Sequence, residues 1–223
     1  MMSLDLKNIF LLLVGIINLI YGLIVYIRNR KSHTNFWFFL VVLSVTFWVF
    51  AMIFFRLFDN LAVFEARILY LSAAFIPLSF LYFSFIFPKD DFSFNFWQKF
   101  LLPIPFIIIS FISIWPNLLI TGVNTFSNKE NVIIFNQKIH LFYAIYIIGY
   151  FSWAYVVLFK KYLNSTGILK TQINYIFAGT LISTIIGVNT NLIMPYLGIF
   201  YLNWLGQVMT MAMVILIAYA IVK

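Results

Sequence analysis

Side chains able to do chemistry are scarce in this chain, and their positions say more than their number. The two histidines, His33 and His140, sit beside long apolar runs, and neither has a second ligand or a nucleophile at useful spacing. There is no cysteine, which excludes disulfides, thiolate metal sites and cysteine nucleophiles. No H-E-x-x-H motif occurs, no carboxylate pair lies inside an apolar run, and no lysine stands in mid-run for a Schiff base. Proton relays, ion-coupled transporters and voltage sensors need ionisable groups within the bilayer. Here every charged side chain falls outside the apolar runs. The reading is a non-enzymatic segment with no cofactor and no metal.

What remains is a concentration of neutral polar groups in "IIGVNTNLIMPYLGIFYLNWLGQVMT". Asn189, Thr190 and Asn191 end one apolar run, and Asn203, Gln207 and Thr210 begin the next. Spacings of four and three put the latter trio on one helical face. Together with Tyr201 and Trp204, the amides of Asn189, Asn191, Asn203 and Gln207 could line a ligand site. Amides in membrane helices also hydrogen-bond neighbouring helices, so a packing role stands beside the binding one. Arg67, with Glu65, lies at the edge of another run; it either snorkels to the interface or contacts an anionic ligand.

Two stripes of small residues are expected to pack helices closely: Gly15, Asn18 and Gly22, and Gly179, Ser183 and Gly187. Pro77, in mid-run, frees a backbone carbonyl and acts as a kink or hinge.

These groups need elements to hold them, and composition names the kind. The chain is 64% hydrophobic and 9% charged, far too apolar for a soluble domain. Seven runs, at about 9–27, 36–55, 68–87, 100–119, 141–159, 173–194 and 202–222, are each long enough to cross ~30 Å of hydrocarbon. The fold expected is all-α: one seven-transmembrane domain spanning 1–223. The fourth run is the least regular, with Pro103 and Pro105 in its first turns and Pro116 near its end.

Arg28, Arg30, Lys31, Lys89, Lys99, Lys160, Lys161, Lys170 and Lys223 fall on one side of this arrangement, with Asp90 and Asp91. Lys7, Arg56, Arg67, Lys129 and Lys138 fall on the other, among Asp5, Asp59, Glu65 and Glu130. Cytoplasmic loops carry the Lys/Arg excess, so the N-terminus is expected outside and Lys223 inside. Membrane topology thus explains the net charge of +8, and no nucleic-acid partner is expected. "LLITGVNTF" and "NVIIFNQ", around the turn-like "SNKEN", predict an extracytoplasmic β-hairpin between helices 4 and 5. "MMSLDLKNIF" is not a cleavable signal, since it carries Asp5 and Lys7 and lacks a small-x-small site.

With "RILYLSAAFIPLSFLYFSFIFP" in its third run, Trp48 late in its second, "TQINYIFAGTLIS" opening its sixth and "AYAIVK" at its end, the chain resembles the N-terminal seven-helix region of prokaryotic histidine kinases and related signalling proteins. The resemblance implies a sensory input domain of a two-component system, multi-pass in the prokaryotic cytoplasmic membrane. A small-molecule or membrane-borne stimulus would act through the last helix on a cytoplasmic output, in cis or on a partner protein, with a homodimer possible. Tyr219–Lys223 would be the exit. Phospho-acceptor and ATP-binding motifs of a complete kinase are absent. Two other readings stay open: a small transporter or channel for a neutral solute, and an accessory membrane-assembly protein.

Overall fold

The computed structural model describes residues 5–88, 94–126 and 130–222. Lys89, Asp90, Asp91, Lys129 and Lys223, most of the "SNKEN" turn and the last residue of the expected exit lie outside these described residues.

Helix α1 (Leu6–Arg28) begins where Asp5 accepts a hydrogen bond from the Asn8 amide, and α2 (His33–Leu57) where Ser32 does the same for Asn35. These are N-caps that satisfy otherwise unpaired amides. A single 3-10 turn, Asp59–Leu61, leads into α3 (Ala62–Ile86), which carries Pro77 inside it. Short α4 (Phe96–Leu101) and α5 (Pro103–Ile114) follow, then strands β1 (Ile120–Asn124) and β2 (Val132–Phe135). The long helices α6 (Gln137–Leu163) and α7 (Gly167–Val188) come next. A π-helical turn, Asn189–Ile193, and the brief α8 (Met194–Tyr196) extend α7, and α9 (Leu205–Val222) completes the chain.

Among the described residues, six helical stretches are long and apolar enough to cross a membrane: those of α1, α2, α3, α6, α7 with its extension, and α9. The fourth expected run differs. Instead of one helix over 100–119, the chain breaks at Leu102 between α4 and α5. Pro103, at the start of α5, has no amide to continue the preceding helix. α5 ends at Ile114, and with 12 residues reaches only ~18 Å at ~1.5 Å per residue. Pro116 and Asn117, the latter in the left-handed region at φ 60°, turn the chain toward β1.

β1 and β2 pair antiparallel, with Gly122 opposite Ile134 and Asn124 opposite Val132. The hairpin expected between the fourth and fifth runs is thus present as an element. It sits against α3 through β1, with Ile120 and Ile133 buried.

α2 and α3 form the centre of the bundle and pair extensively with each other. α1 packs on α2 and α9, α9 on α7, and α6 on α3. Exposed Leu, Ile and Phe side chains cover the outer faces of α1, α5, α6 and α7, as a lipid-facing surface requires. Close contacts hold the helices. A Cβ on Gly22 would fall 2.6 Å from Val42 Cγ1, and one on Gly179 2.8 Å from Leu216 Cβ.

α6 also carries a ladder of hydroxyls. Tyr143, Tyr146 and Tyr150 donate to the backbone carbonyls of Tyr70 (2.7 Å), Ala74 (2.9 Å) and Leu102 (2.7 Å). Each tyrosine buries its ring and finds an acceptor for its hydroxyl, fastening α3 ahead of Pro77 and the turn before α5 to α6.

Candidate ligand-binding cavity

The polar groups of "VNTNLI" and "YLNWLGQVMT" converge because the α7 backbone changes register between them. In the π turn the Met194 amide donates five residues back to the Asn189 carbonyl, while the Asn189 amide still reaches the Ile185 and Ile186 carbonyls. The side chains of Asn189 and Thr190 donate back to Ile185 (2.8 Å) and Ile186 (2.9 Å). Tyr70 of α3 donates its hydroxyl to the Asn191 carbonyl at 3.2 Å. π turns are often associated with functional sites. This one faces Gly206 of α9, where an added Cβ would lie 2.3 Å from Asn191 Nδ2 and 3.1 Å from Gly187 Cα. α7 and α9 therefore meet almost backbone to backbone.

Next to this crossing is a partly open cavity of about 80 Å³, lined by α2, α3, α6, α7 and α9 together with Ile133 of β2 and the turn before α9. Its wall is mainly apolar, with Trp48, Met52, Ile76, Ile147 and Phe151 among its components, and among the described residues no charged side chain lines it. The polar groups at its edge are Tyr70, Tyr143, Ser183, Thr184, Asn191, Asn203 and Thr210.

Most of these polar groups are already engaged. Ser183 donates to the Met209 carbonyl at 2.6 Å, and Thr184 shares a 2.7 Å hydrogen bond with Tyr155. Thr210 donates to the Gln207 carbonyl at 2.6 Å and accepts from Asn18 Nδ2 at 2.9 Å, which ties α1 to α9. Gln207 is fully buried. In one orientation its amide donates to Asn191 Oδ1 at 3.3 Å; in the other it donates to the carbonyls of Asn203 (2.6 Å) and Trp204 (3.1 Å). Asn203 is the exception. It is 4% exposed, lines the cavity, and its Oδ1 has no partner.

Of the residues the sequence singles out for binding, the structure brings Asn191, Asn203 and Gln207 together. Asn189 is exposed and is not part of the lining. Tyr201 is exposed, while Trp204 lies nearer the surface with its ring 5.7 Å from Lys7 Nζ. Arg67 is half-buried on α3, away from the cavity, with Nε unpartnered. Among the small residues, Gly15 faces Phe50, Asn18 reaches Thr210, and Gly187 faces Trp48, whose Cη2 an added Cβ would meet in ordinary contact at 4.0 Å.

Sequence reasoning missed two polar clusters. At one end, Arg56, only 9% exposed, joins Asp5 (2.6 Å), Glu130 and the Asn8 side chain (2.9 Å), while Lys7 pairs with Glu130 at 2.6 Å. Asn131 donates to the Phe55 carbonyl and to Asp59, so the hairpin is bound to the start of α1 and the end of α2. At the other end, Lys161 donates to the carbonyls of Ser84 (2.9 Å), Phe85 (2.6 Å) and Phe87. That ammonium completes the unpaired carbonyls at the end of α3. The sequence signal for both was a charge at the last turn of a run, which reads equally well as topology.

His140 is buried at 1% exposure in an aromatic group with Phe135, Tyr70 and Tyr196. Its Nε2 has no partner.

Comparison with curated proteins finds no match for this chain. A protein family described as the N-terminal 7TM region of histidine kinase matches residues 10–223. That span contains the cavity, the π turn and every long helix from its first turn or two onward. The chain belongs to the family of N-terminal seven-transmembrane regions of histidine kinases.

Proposed function

We propose that the chain is a sensory input domain in which a stimulus acts at the cavity beside the π turn and is passed along α9 to a cytoplasmic output. The observation that carries this reading is that one helix joins both places. α9 lines the cavity through Gly206, Thr210 and Met213, directly after Asn203 in the turn that leads into it, and its far end meets Arg28, whose Nη1 lies 3.4 Å from the Val222 carbonyl.

The Lys/Arg excess at the α1–α2, α6–α7 and α9 ends supports an inside location for them. The hairpin and the Asp5–Arg56–Glu130 cluster then lie outside, and α5 together with α4 serves as the seventh crossing. The membrane is the prokaryotic cytoplasmic membrane. The whole chain works as a single domain, and its output follows in cis or sits on a partner protein, with a homodimer as the working unit.

A ligand can shift such a domain only by binding two helix arrangements with different affinity. The Gly187–Gly206 crossing is tight, so occupancy next to it displaces α9 rather than a side chain. Displacements of ~1–2 Å are usual for such helix shifts, and couplings of ~1–3 kcal/mol change an equilibrium about 5- to 150-fold.

Cross-linking tests this. A Cβ at Gly179 would lie 2.8 Å from Leu216 Cβ, within about 1 Å of disulfide spacing, and the chain has no native cysteine to interfere. In the kinase that carries this region, oxidising the G179C/L216C pair should shift autophosphorylation severalfold, and reductant should restore it. Unchanged output in the cross-linked protein would contradict the reading.

A further inference from the structure

We infer that the cavity binds a small neutral molecule with an apolar body and one hydroxyl, the class of short-chain alcohols, and that Asn203 receives the hydroxyl. This rests on the sensory reading for its biological use, but the site itself follows from size, charge and hydrogen-bond inventory.

Size sets the first limit. The cavity measures about 80 Å³, against ~150 Å³ for an apolar protein cavity that admits benzene. A molecule with fewer non-hydrogen atoms than benzene is the match.

Charge sets the second. No Lys, Arg, Asp, Glu or His lines the space, and an ion would lose its hydration with nothing of opposite sign to receive it.

Hydrogen bonding sets the third. The Ser183, Thr210, Tyr70 and Tyr143 hydroxyls already donate to backbone carbonyls. Asn203 alone combines burial, a place in the lining and an unpartnered amide oxygen. A buried amide atom without a partner is costly and uncommon. An amide presents an acceptor at one end and a donor at the other, and a hydroxyl can serve either. A carbonyl compound serves only the donor, and a hydrocarbon serves neither.

Gly187 supplies an independent handle. It lines the cavity with Trp48, and a Cβ added there would rest in ordinary contact 4.0 Å from Trp48 Cη2, so a methyl takes up lining space without a clash.

The test is fluorine NMR of the purified chain in lipid nanodiscs, titrated with 3-fluoropropan-1-ol or 1,3-difluoropropane. The two probes have the same number of heavy atoms and differ by hydroxyl against fluorine. The alcohol should show saturable binding, about five- to tenfold tighter than the difluoride, as expected for one buried hydrogen bond. Gly187→Ala should weaken the alcohol while the protein stays folded, and Asn203→Leu should erase the difference between the probes. Equal affinities for the two probes in the native chain, or alcohol binding unaffected by Gly187→Ala, would overturn the assignment. The readout is binding alone, so its failure is separate from failure of the sensory reading, which is tested on kinase output.

Discussion

Gly206 of α9 stands so close to Asn191 of the π turn that an added Cβ would lie 2.3 Å from Asn191 Nδ2. The same Cβ would be 3.1 Å from Gly187 Cα, where backbone rather than a flexible side chain resists. Gly206→Ala should therefore destabilise the bundle by about 1–3 kcal/mol, the usual cost of overpacking. Gly149→Ala is the control, since nothing lies within 4 Å of its added Cβ, and alanine there should be neutral or slightly stabilising in a helix. Thermal unfolding of the two variants in the same nanodiscs checks the contrast.

Arg56 is the hub of the cluster that binds the hairpin. Replacing it with methionine keeps much of the apolar stem but leaves Asp5, Glu130 and Asn8 without the guanidinium they share. Loss of a partly buried charge network of this kind should cost about 1–3 kcal/mol. The effect should concentrate in the hairpin, with faster hydrogen exchange across 120–124 and 132–135. Exchange that stays at the native rate there would show that β1's packing on α3 alone holds it.

Lys161 closes the end of α3 by donating to three carbonyls. Lys161→Met should leave them unpaired, raise hydrogen exchange at residues 83–87 and lower stability by about 1–3 kcal/mol. Lys161→Arg should recover part of the loss, because a guanidinium also donates and also favours a helix C-terminus. A methionine variant indistinguishable from the native chain would mean water serves those carbonyls equally well.

The long helices were legible in the sequence because a crossing segment must be apolar over some twenty residues, and few other structures are. The break at Leu102 was less so. Pro103 and Pro105 are cheap in a first turn, and their sequence does not say whether that turn begins a long helix or a short one. The π turn left no compositional mark, since one extra residue in a hydrogen-bonded ring changes register and not hydropathy. That register explains why Asn189 and Asn191, two residues apart, part company: one returns to the Ile185 carbonyl and the other reaches the cavity. Spacing put 203, 207 and 210 on one helical face, but Asn203 falls in the turn before α9 and only Gln207 and Thr210 are on the helix. The Arg56–Glu130 pair was not, because 74 residues separate the partners and only the folded hairpin brings them together.

In the proposed sensor, the cavity and the output are coupled through α9. Filling the cavity from Gly187 tests it without knowledge of the stimulus. With this region joined to a histidine kinase output, autophosphorylation should be compared for Gly187→Leu, which adds bulk to the cavity lining, and Gly149→Leu, which projects into open space. The account predicts that the first changes basal output at least fivefold, corresponding to a coupling of ~1 kcal/mol or more, and that the second leaves it near the native level. Two folded variants with equal, native output would contradict it.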